Sequence, residues 1–256
     1  MSKKWIMSFS FFFSGLFCEG QEEKIDTDRP DQTESAGIVP KNYFQAEIGF
    51  NKENTYFGNY NLVYPTALLK YGLHKAELRL ETVFLSTYEQ RLPQPKWTTG
   101  LLPVEIGFKA LIIEEKKIVP RISFIGHLGI PMLASSSFKI DHPAPSFRFT
   151  IQKNINPFTG IGANVGAAWD GIQPTPLWLY TLSPGFNAGK KWYMYAEIFG
   201  FILKDELPQH NVDGGIAYYV TNDLKVDISG GFGISEASPR NYGAIGISFR
   251  MNTRNK

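Results

Sequence analysis

The chain has 256 residues, of which 43% are hydrophobic and 14% aromatic, and its formal net charge at pH 7 is only +2. This length fits one large β-domain or two small ones. The near-neutral charge argues against nucleic acid as a partner, because nucleic-acid-binding proteins usually carry a basic patch or stripe. The aromatic residues and the 24 glycines, without heptads or long helical stripes, favour β-structure.

The first twenty residues are organised like a secretory signal peptide. Two lysines precede the apolar stretch Trp5–Phe17, and Cys18 and Gly20 supply small residues before a cleavage site ahead of Gln21. Lipid attachment at Cys18 is the weaker interpretation, because Phe17 is bulky where a small residue is expected. A membrane-spanning helix is weaker still, since a bilayer needs about 20 apolar residues. Cleavage would remove the only cysteine and with it any disulfide or cysteine chemistry.

Segment 75–84, KAELRLETVF, alternates strictly between apolar and polar or charged side chains over most of its length. Successive side chains of a strand point to opposite faces. One face carries Leu78 and Leu80, and the other carries Glu77 and Arg79. In a soluble sheet the charged face meets water, whereas in an outer-membrane barrel it faces the lumen and the apolar face meets lipid. The connections between such segments decide between these alternatives.

Twelve segments show an alternating pattern, and together they predict a barrel. They lie near 43–52, 61–71, 76–85, 101–112, 118–130, 144–153, 158–169, 177–187, 192–203, 211–220, 225–235 and 242–251. Connections after even-numbered segments are tight, and most of those after odd-numbered segments are longer, such as 86–97; the short 171–175 is the exception. This asymmetry is typical of outer-membrane barrels. The predicted fold class is all-β: an antiparallel up-and-down transmembrane β-barrel of about 12 strands, with short periplasmic turns and longer extracellular loops.

Two features of the predicted strands break the regular pattern. Pro65 and Pro184 fall inside segments, and we expect both to mark bulges, because proline cannot donate to a ladder. The seventh segment has a small inward face, with Gly162, Asn164 and Gly166. Glycine in a strand often marks close approach of another backbone, so this face predicts either a segment packed against it or open space.

If the apolar set faces lipid, parity assigns acidic and basic side chains in equal number to the lumen. The acids are Glu47, Glu77, Glu81, Glu105, Glu197, Asp213 and Asp227, and the bases are Lys70, Arg79, Lys109, Arg121, Arg148, Lys225 and Arg250. His127 falls on the same face. The favoured interpretation is a lattice of ion pairs between neighbouring strands; the alternative is that these residues also contact a passing solute. A balanced lumen predicts little ion selectivity.

Segment 25–37, IDTDRPDQTESAG, is polar and precedes the first strand. A calcium loop is the weakest interpretation, because the glycine and terminal glutamate of an EF-hand are absent. A disordered periplasmic leader is the second. The favoured hypothesis is a segment folded into the periplasmic mouth, with Arg29 paired to lumen carboxylates and the seventh strand as its landing surface. The predicted plug-like motif consists of Asp28, Arg29, Pro30, Asp31, Thr33, Glu34 and Ser35.

The same motif carries a family resemblance. The stretch TDRPDQTESAGIVPKNYFQAEIGF, followed by LLKYGLHKAELRL, resembles the start of the bacterial outer-membrane family described as "MetA-pathway of phenol degradation". The resemblance rests on the DRPD-x-TES leader, on the turn Lys70–Leu73 and on the strand beginning at Glu77, and it extends to the terminal GAIGISFRM. It implies an outer-membrane barrel regarded as a transporter. No residue here specifies an aromatic substrate.

An enzymatic function is the less favoured class. Ser123 and His127 share the inward face of the fifth segment, which would permit a Ser–His pair. However, the chain has only four histidines, no GxSxG elbow and no zinc ligands at a typical spacing. We therefore expect no enzyme, no cofactor and no metal. Trp97, Trp169 and Trp192 are expected to serve as interfacial girdles rather than as binding hot spots.

The sequence thus predicts a signal peptide (1–20), a polar segment at or in the periplasmic mouth (21–42), a barrel (43–251) and a tail (252–256). The expected location is the outer membrane of a Gram-negative bacterium. The expected function is that of a porin-like channel or transporter for small solutes, apolar or aromatic ones included. A non-conducting structural or surface-binding barrel that acts through its extracellular loops is the alternative. Expected partners are outer-membrane lipid, an unidentified small solute and, during biogenesis, the barrel-assembly machinery.

Overall fold

In the computed structural model, which describes residues 24–90 and 93–254, one antiparallel sheet closes into a barrel. Its strands are β1 (Tyr43–Asn54), β2 (Tyr60–Gly72), β3 (Ala76–Glu89), β4 (Lys96–Leu101), β5 (Val104–Ile113), β6 (Arg121–Ile130), β7 (Ala144–Asn154), β8 (Thr159–Ala168), β9 (Leu177–Ala188), β10 (Trp192–Ile202), β11 (Gln209–Tyr219), β12 (Leu224–Gly233) and β13 (Asn241–Asn252). The pairing of β1 with β13 closes the barrel. The predicted signal peptide, residues 1–20, lies outside the described residues.

Strands β4 and β5 are two halves of one barrel strand. Both pair with β3. Strand β4 pairs with the C-terminal half of β3, and β5 pairs with its N-terminal half. The interruption falls at Leu102 and Pro103, and proline has no N–H to donate to a ladder. With β4 and β5 counted as one, the barrel therefore has twelve strands, as predicted. The prediction of a loop over 86–97 was wrong at both ends, because β3 continues to Glu89 and β4 begins at Lys96.

The two rims of the barrel differ in the length of their connections. Residues 73–75, 155–158 and 189–191 link strands at one rim, whereas residues 131–143 and 234–240 link strands at the other. The connection between β8 and β9, predicted to be a short exception at residues 171–175, is longer than predicted and spans 169–176. We call these the short-turn rim and the long-loop rim. Strand β1 begins, and β13 ends, at the short-turn rim, where Tyr43 lies opposite Asn252.

Side-chain exposure decides which face of each strand points outward. On β3, Leu78 and Leu80 are 54% and 37% exposed, whereas Glu77 and Arg79 are 1% and 4% exposed. The charges therefore face the lumen, and the apolar side chains form the outer surface, as in a barrel surrounded by lipid. Among the helices of the described part of the chain, none is long and apolar enough to cross a membrane.

The two prolines inside strands behave differently. The pairing of β2 with β3 shifts register between Val63 and Thr66, so Pro65 lies in a bulge as predicted. Pro184 pairs with Ile161 in an unbroken register, and the prediction of a bulge there was wrong. On its other side, the pairing of β9 with β10 skips residues 183 and 184. A ladder hydrogen bond is thus not needed from Pro184, and the strand accommodates it without an extra residue.

Candidate functional site: the plugged lumen

The polar segment before β1 lies inside the barrel. Near its start, the backbone N–H of Ile25 donates to the carbonyl of Asn222 in a short turn, at 2.7 Å. Near its end, the backbone N–H of Val39 donates to the carboxylate of Glu77, also at 2.7 Å. Both ends lie at or near the short-turn rim, and the residues between them fold into the lumen. We call residues 24–42 the plug.

Asp28 is the main electrostatic anchor of the plug. Its carboxylate lies 2.9 Å from Lys70 Nζ, 3.0 Å from the Arg79 guanidinium and 2.8 Å from Lys109 Nζ. All four side chains are buried. Burial alone would raise the pKa of Asp28, but the charges of Lys109, Lys70 and Arg79 hold the pKa well below its ordinary value. The carboxylate is therefore ionised and fixes three wall strands to the plug.

Glu34 forms a second anchor on the same side of the barrel. Its carboxylate lies 2.7 Å from Arg79 and 3.3 Å from Arg148. These guanidinium groups lower the pKa of Glu34 against the opposing effect of burial. The side-chain amide of Asn164 on β8 accepts from the Glu34 backbone N–H at 2.7 Å and donates to its carbonyl at 3.0 Å. The small face of β8 is thus a landing surface for the plug.

Arg29 crosses to another part of the wall. Its guanidinium lies 2.9 Å from the carboxylate of Asp227 on β12. The guanidinium rests over Gly49 and Gly246, which face each other across β1 and β13, and a Cβ on either glycine would overlap it. The backbone N–H of Arg29 donates to the carboxylate of Glu47 at 3.0 Å. These two glycines are therefore required by the close approach of Arg29.

Gln32 and Thr33, which we call the tip of the plug, contact β9 and β10 through uncharged hydrogen-bond donors. Glu197 accepts from the backbone N–H of Gln32 at 2.8 Å and from the hydroxyl of Thr33. The Thr33 hydroxyl also lies 2.6 Å from that of Thr181. No Lys or Arg side chain within the described ranges forms a salt bridge with Glu197, so this contact differs in kind from the Asp28 anchor.

Asp31 and Asp213 lie on the same side as this tip. Asp31 accepts from the Ser183 hydroxyl at 3.1 Å. Burial raises the pKa of Asp31 to about 7, although nearby Lys225 opposes the shift. Asp213 accepts from the hydroxyls of Tyr195 and Tyr242. The wall around Asp31 is therefore rich in carboxyl groups and hydroxyls.

The plug divides the lumen into two chambers. The upper chamber, of about 460 Å³, reaches the long-loop rim near Ala168. The lower chamber, of about 170 Å³, reaches the short-turn rim near Asn154. Only three plug residues, Arg29, Asp31 and Glu34, border both chambers. These three residues therefore lie at the boundary between the chambers.

The structure places most of the predicted lumen charges against the plug. Side chains that contact it are those of Glu47, Lys70, Glu77, Arg79, Lys109, Arg148, Glu197, Lys225 and Asp227. Glu81, Glu105 and His127 border the upper chamber. Arg121 lies opposite Gln152 near the short-turn rim, and Arg250 pairs with Asp223 in a short turn. Ion pairs between neighbouring strands occur at Lys70–Glu47 and Lys109–Glu77, and further pairs join the wall to the plug. A role for these residues in a solute path stays a prediction.

Several wall residues that hold the plug were missed at the sequence level because they carry no charge. They are Gln45, Ser123, Gln152, Thr181 and Ser183, and each donates to or accepts from the plug. All are polar residues at inward positions of their strands. A polar side chain at an inward-facing strand position is the sequence signal that could have identified these residues.

The geometry separates Ser123 from His127. The Ser123 hydroxyl donates to the carbonyl of Ala36 at 2.7 Å. The Nε2 atom of His127 accepts from Arg79 at 3.0 Å, and its Nδ1 atom lies 3.4 Å from Glu105. Each side chain therefore has other partners, and the two form no nucleophile–base pair.

Pairing of β3, β5 and β6 brings Glu81, Glu105 and His127 together, with their donor atoms within 4.8 Å of one another. Glu81 and Glu105 face each other directly in register. These residues are far apart in sequence, so their spacing gave no sign of the group. Because both ring nitrogens of His127 already face Arg79 and Glu105, the group is poorly suited to a metal ion that needs a free imidazole nitrogen.

A closed antiparallel barrel with an apolar outer surface, a charged lumen and an inserted N-terminal segment defines a transmembrane β-barrel of the outer-membrane type. The chain belongs to the family described as "Putative MetA-pathway of phenol degradation", whose model matches residues 27–251. The resemblance predicted from the plug motif is thereby confirmed. A comparison with curated proteins gives no significant match.

Solved structures of outer-membrane channels share the fold. The COG4313 outer membrane channel from Pseudomonas putida F1 is similar with a TM-score of 0.67 at 8% identity, over 85% of this chain and 98% of that chain. The KdgM porin is similar with a TM-score of 0.54 at 8% identity, over 79% of this chain and 98% of that chain. The NanC porin is similar with a TM-score of 0.53 at 9% identity, over 81% of this chain and all (100%) of that chain. At such identities the likeness concerns the fold alone.

Proposed function

We propose that the protein is a channel of the Gram-negative outer membrane that passes small solutes through its lumen, with the plug controlling the route. The observation that carries this proposal is the pair of chambers that lie on opposite sides of the plug and share Arg29, Asp31 and Glu34. In this orientation the short-turn rim faces the periplasm, as in bacterial outer-membrane barrels. The similarity to channels and porins supports transport rather than catalysis.

The upper chamber suits solutes with an apolar part. Its wall combines the charges described above with apolar side chains, namely Val63, Leu68, Val83, Ile125, Trp169 and Leu179. Trp169, at the long-loop rim, lies against Phe147, which packs with Phe149 on the outer face of β7, so its role in an interfacial girdle stays a prediction.

The test is a swelling assay with liposomes that contain the refolded chain without its predicted signal peptide. Glycine and L-arabinose serve as probes, and a heat-dependent shift in gel mobility confirms that the barrel is folded. We expect glycine to enter faster than L-arabinose, because the plug leaves only a narrow route. A folded barrel that admits neither probe would contradict the proposal and favour a non-conducting barrel acting through its loops.

A further inference from the structure

The charges along the route are not balanced once the plug is in place. The three arginines that border the upper chamber are all paired: Arg29 with Asp227, and Arg79 and Arg148 with Glu34. Lys70 and Lys109 are 2% and 0% exposed and lie against Asp28. The plug therefore neutralises much of the positive charge of the wall.

Carboxylates along the route lack such partners. Asp31, Glu81 and Glu105 border the upper chamber, and in the described part of the chain none of them lies within 4.0 Å of a lysine or arginine nitrogen. Glu81 and Glu105 also face each other in register. Carboxylates directly opposite one another on neighbouring strands repel, so a cation in the chamber beside them is stabilised.

We propose that the route favours cations over anions and that Asp31, at the boundary between the chambers, is its selectivity-determining residue. This inference rests on the proposed function, because selectivity requires passage. It departs from the balanced lumen predicted from strand parity, since that prediction did not count the plug. Solutes with an ammonium group would be favoured over carboxylates of the same size.

The surroundings of Asp31 define how its charge depends on pH. The titratable groups that act on it are Tyr193, Tyr195 and Glu197 of β10, Asp213 and Tyr219 of β11, Lys225 of β12 and Tyr242 of β13. Arg29 and Glu34 of the plug border the same chambers. Because burial raises the pKa of Asp31 to about 7, its carboxyl group is mostly ionised at pH 8.5 and mostly neutral at pH 5.5.

The test is the reversal potential of the refolded chain in a planar bilayer under a KCl gradient. At pH 8.5 we expect cation selectivity, and Asp31→Asn should lower the ratio of K⁺ to Cl⁻ permeability at least about fivefold. A unit charge about 4 Å from an ion in water-like surroundings changes the ion's energy by about 1 kcal/mol, a factor of about five for K⁺ alone, and the opposite effect on Cl⁻ increases the change in the ratio. Lowering the pH to 5.5 should reduce the wild-type ratio and should affect Asp31→Asn less.

Glu115→Gln is the matched control, because Glu115 pairs with Lys153 near the short-turn rim and borders neither chamber. It should keep the wild-type ratio. An anion-selective or non-selective wild type at pH 8.5, or an Asp31→Asn variant with the wild-type ratio, would overturn the inference while leaving passage intact. A folded barrel that conducts no ions would instead overturn the proposed function itself.

Discussion

Asp28 offers the sharpest test of how the plug is held. Replacing it with asparagine keeps the shape of the side chain but removes the charge that faces Lys70, Arg79 and Lys109. Loss of one partner from a buried ion pair destabilises a structure by about 3–5 kcal/mol. Lys70 keeps a contact with Glu47 and Arg79 keeps Glu34, so we expect the lower end of that range. The docked plug should lose about 3 kcal/mol, which lowers the docking equilibrium on the order of 100-fold.

The assay uses a cysteine introduced at Ala36, which is completely buried (0% exposed) in the docked plug. The chain without its predicted signal peptide has no other cysteine. The rate of maleimide labelling, divided by the rate for free cysteine, reports how often the plug leaves the wall. Asp28→Asn should raise this rate on the order of 100-fold. Asp26→Asn is the control, because Asp26 is exposed. Equal labelling rates in the two variants would refute the Asp28 anchor.

Three further predictions follow from the plug and the outer surface. Asn164→Ala removes both hydrogen bonds to the backbone of Glu34, so docking should weaken by about 1–3 kcal/mol in the same labelling assay; an unchanged rate would exclude β8 as a landing surface. Leu80→Lys places a charge on the outer surface farther from the short-turn rim and should destabilise the barrel in vesicles by up to about 2–4 kcal/mol, the range for the membrane midplane, measured by urea unfolding, whereas Met132→Lys, at a side chain 87% exposed in a long-loop connection, should have little effect. Because the pKa of Asp31 is raised to about 7 in the docked plug, docking binds a proton and should strengthen as the pH falls from 8 to 5; labelling that accelerates over this range would contradict the assignment.

Parity along the strands predicted which charges face the lumen, because the period of two is written directly in segments such as KAELRLETVF. Which charges become partners depends on how deep each side chain lies in the lumen and on the register between strands that are distant in sequence. One sequence does not reveal either. Arg29 pairs with a lumen carboxylate, as predicted, but the sequence did not indicate which one, because its partner, Asp227, lies 198 residues away. Gly49 and Gly246, which face each other beneath that guanidinium, gave no separate signal.

The errors in the predicted strands have local causes. Residues KWTTGL form β4, but they follow a proline-containing connection and precede Pro103, so they resemble part of a loop. The predicted charge balance counted side chains on the wall and omitted those of the plug. Asp31 in particular gains its position between the chambers only from the folded plug, which the sequence could suggest but could not position.

Single-channel conductance of the refolded chain in a planar bilayer tests the central claim most directly. We expect discrete, small current steps for the wild-type chain and larger or more frequent openings for Asp28→Asn, because the plug that separates the two chambers is then less firmly held. A heat-dependent shift in gel mobility would show that both barrels are folded. Silence in both folded proteins, or identical currents in both, would contradict a lumen route controlled by the plug.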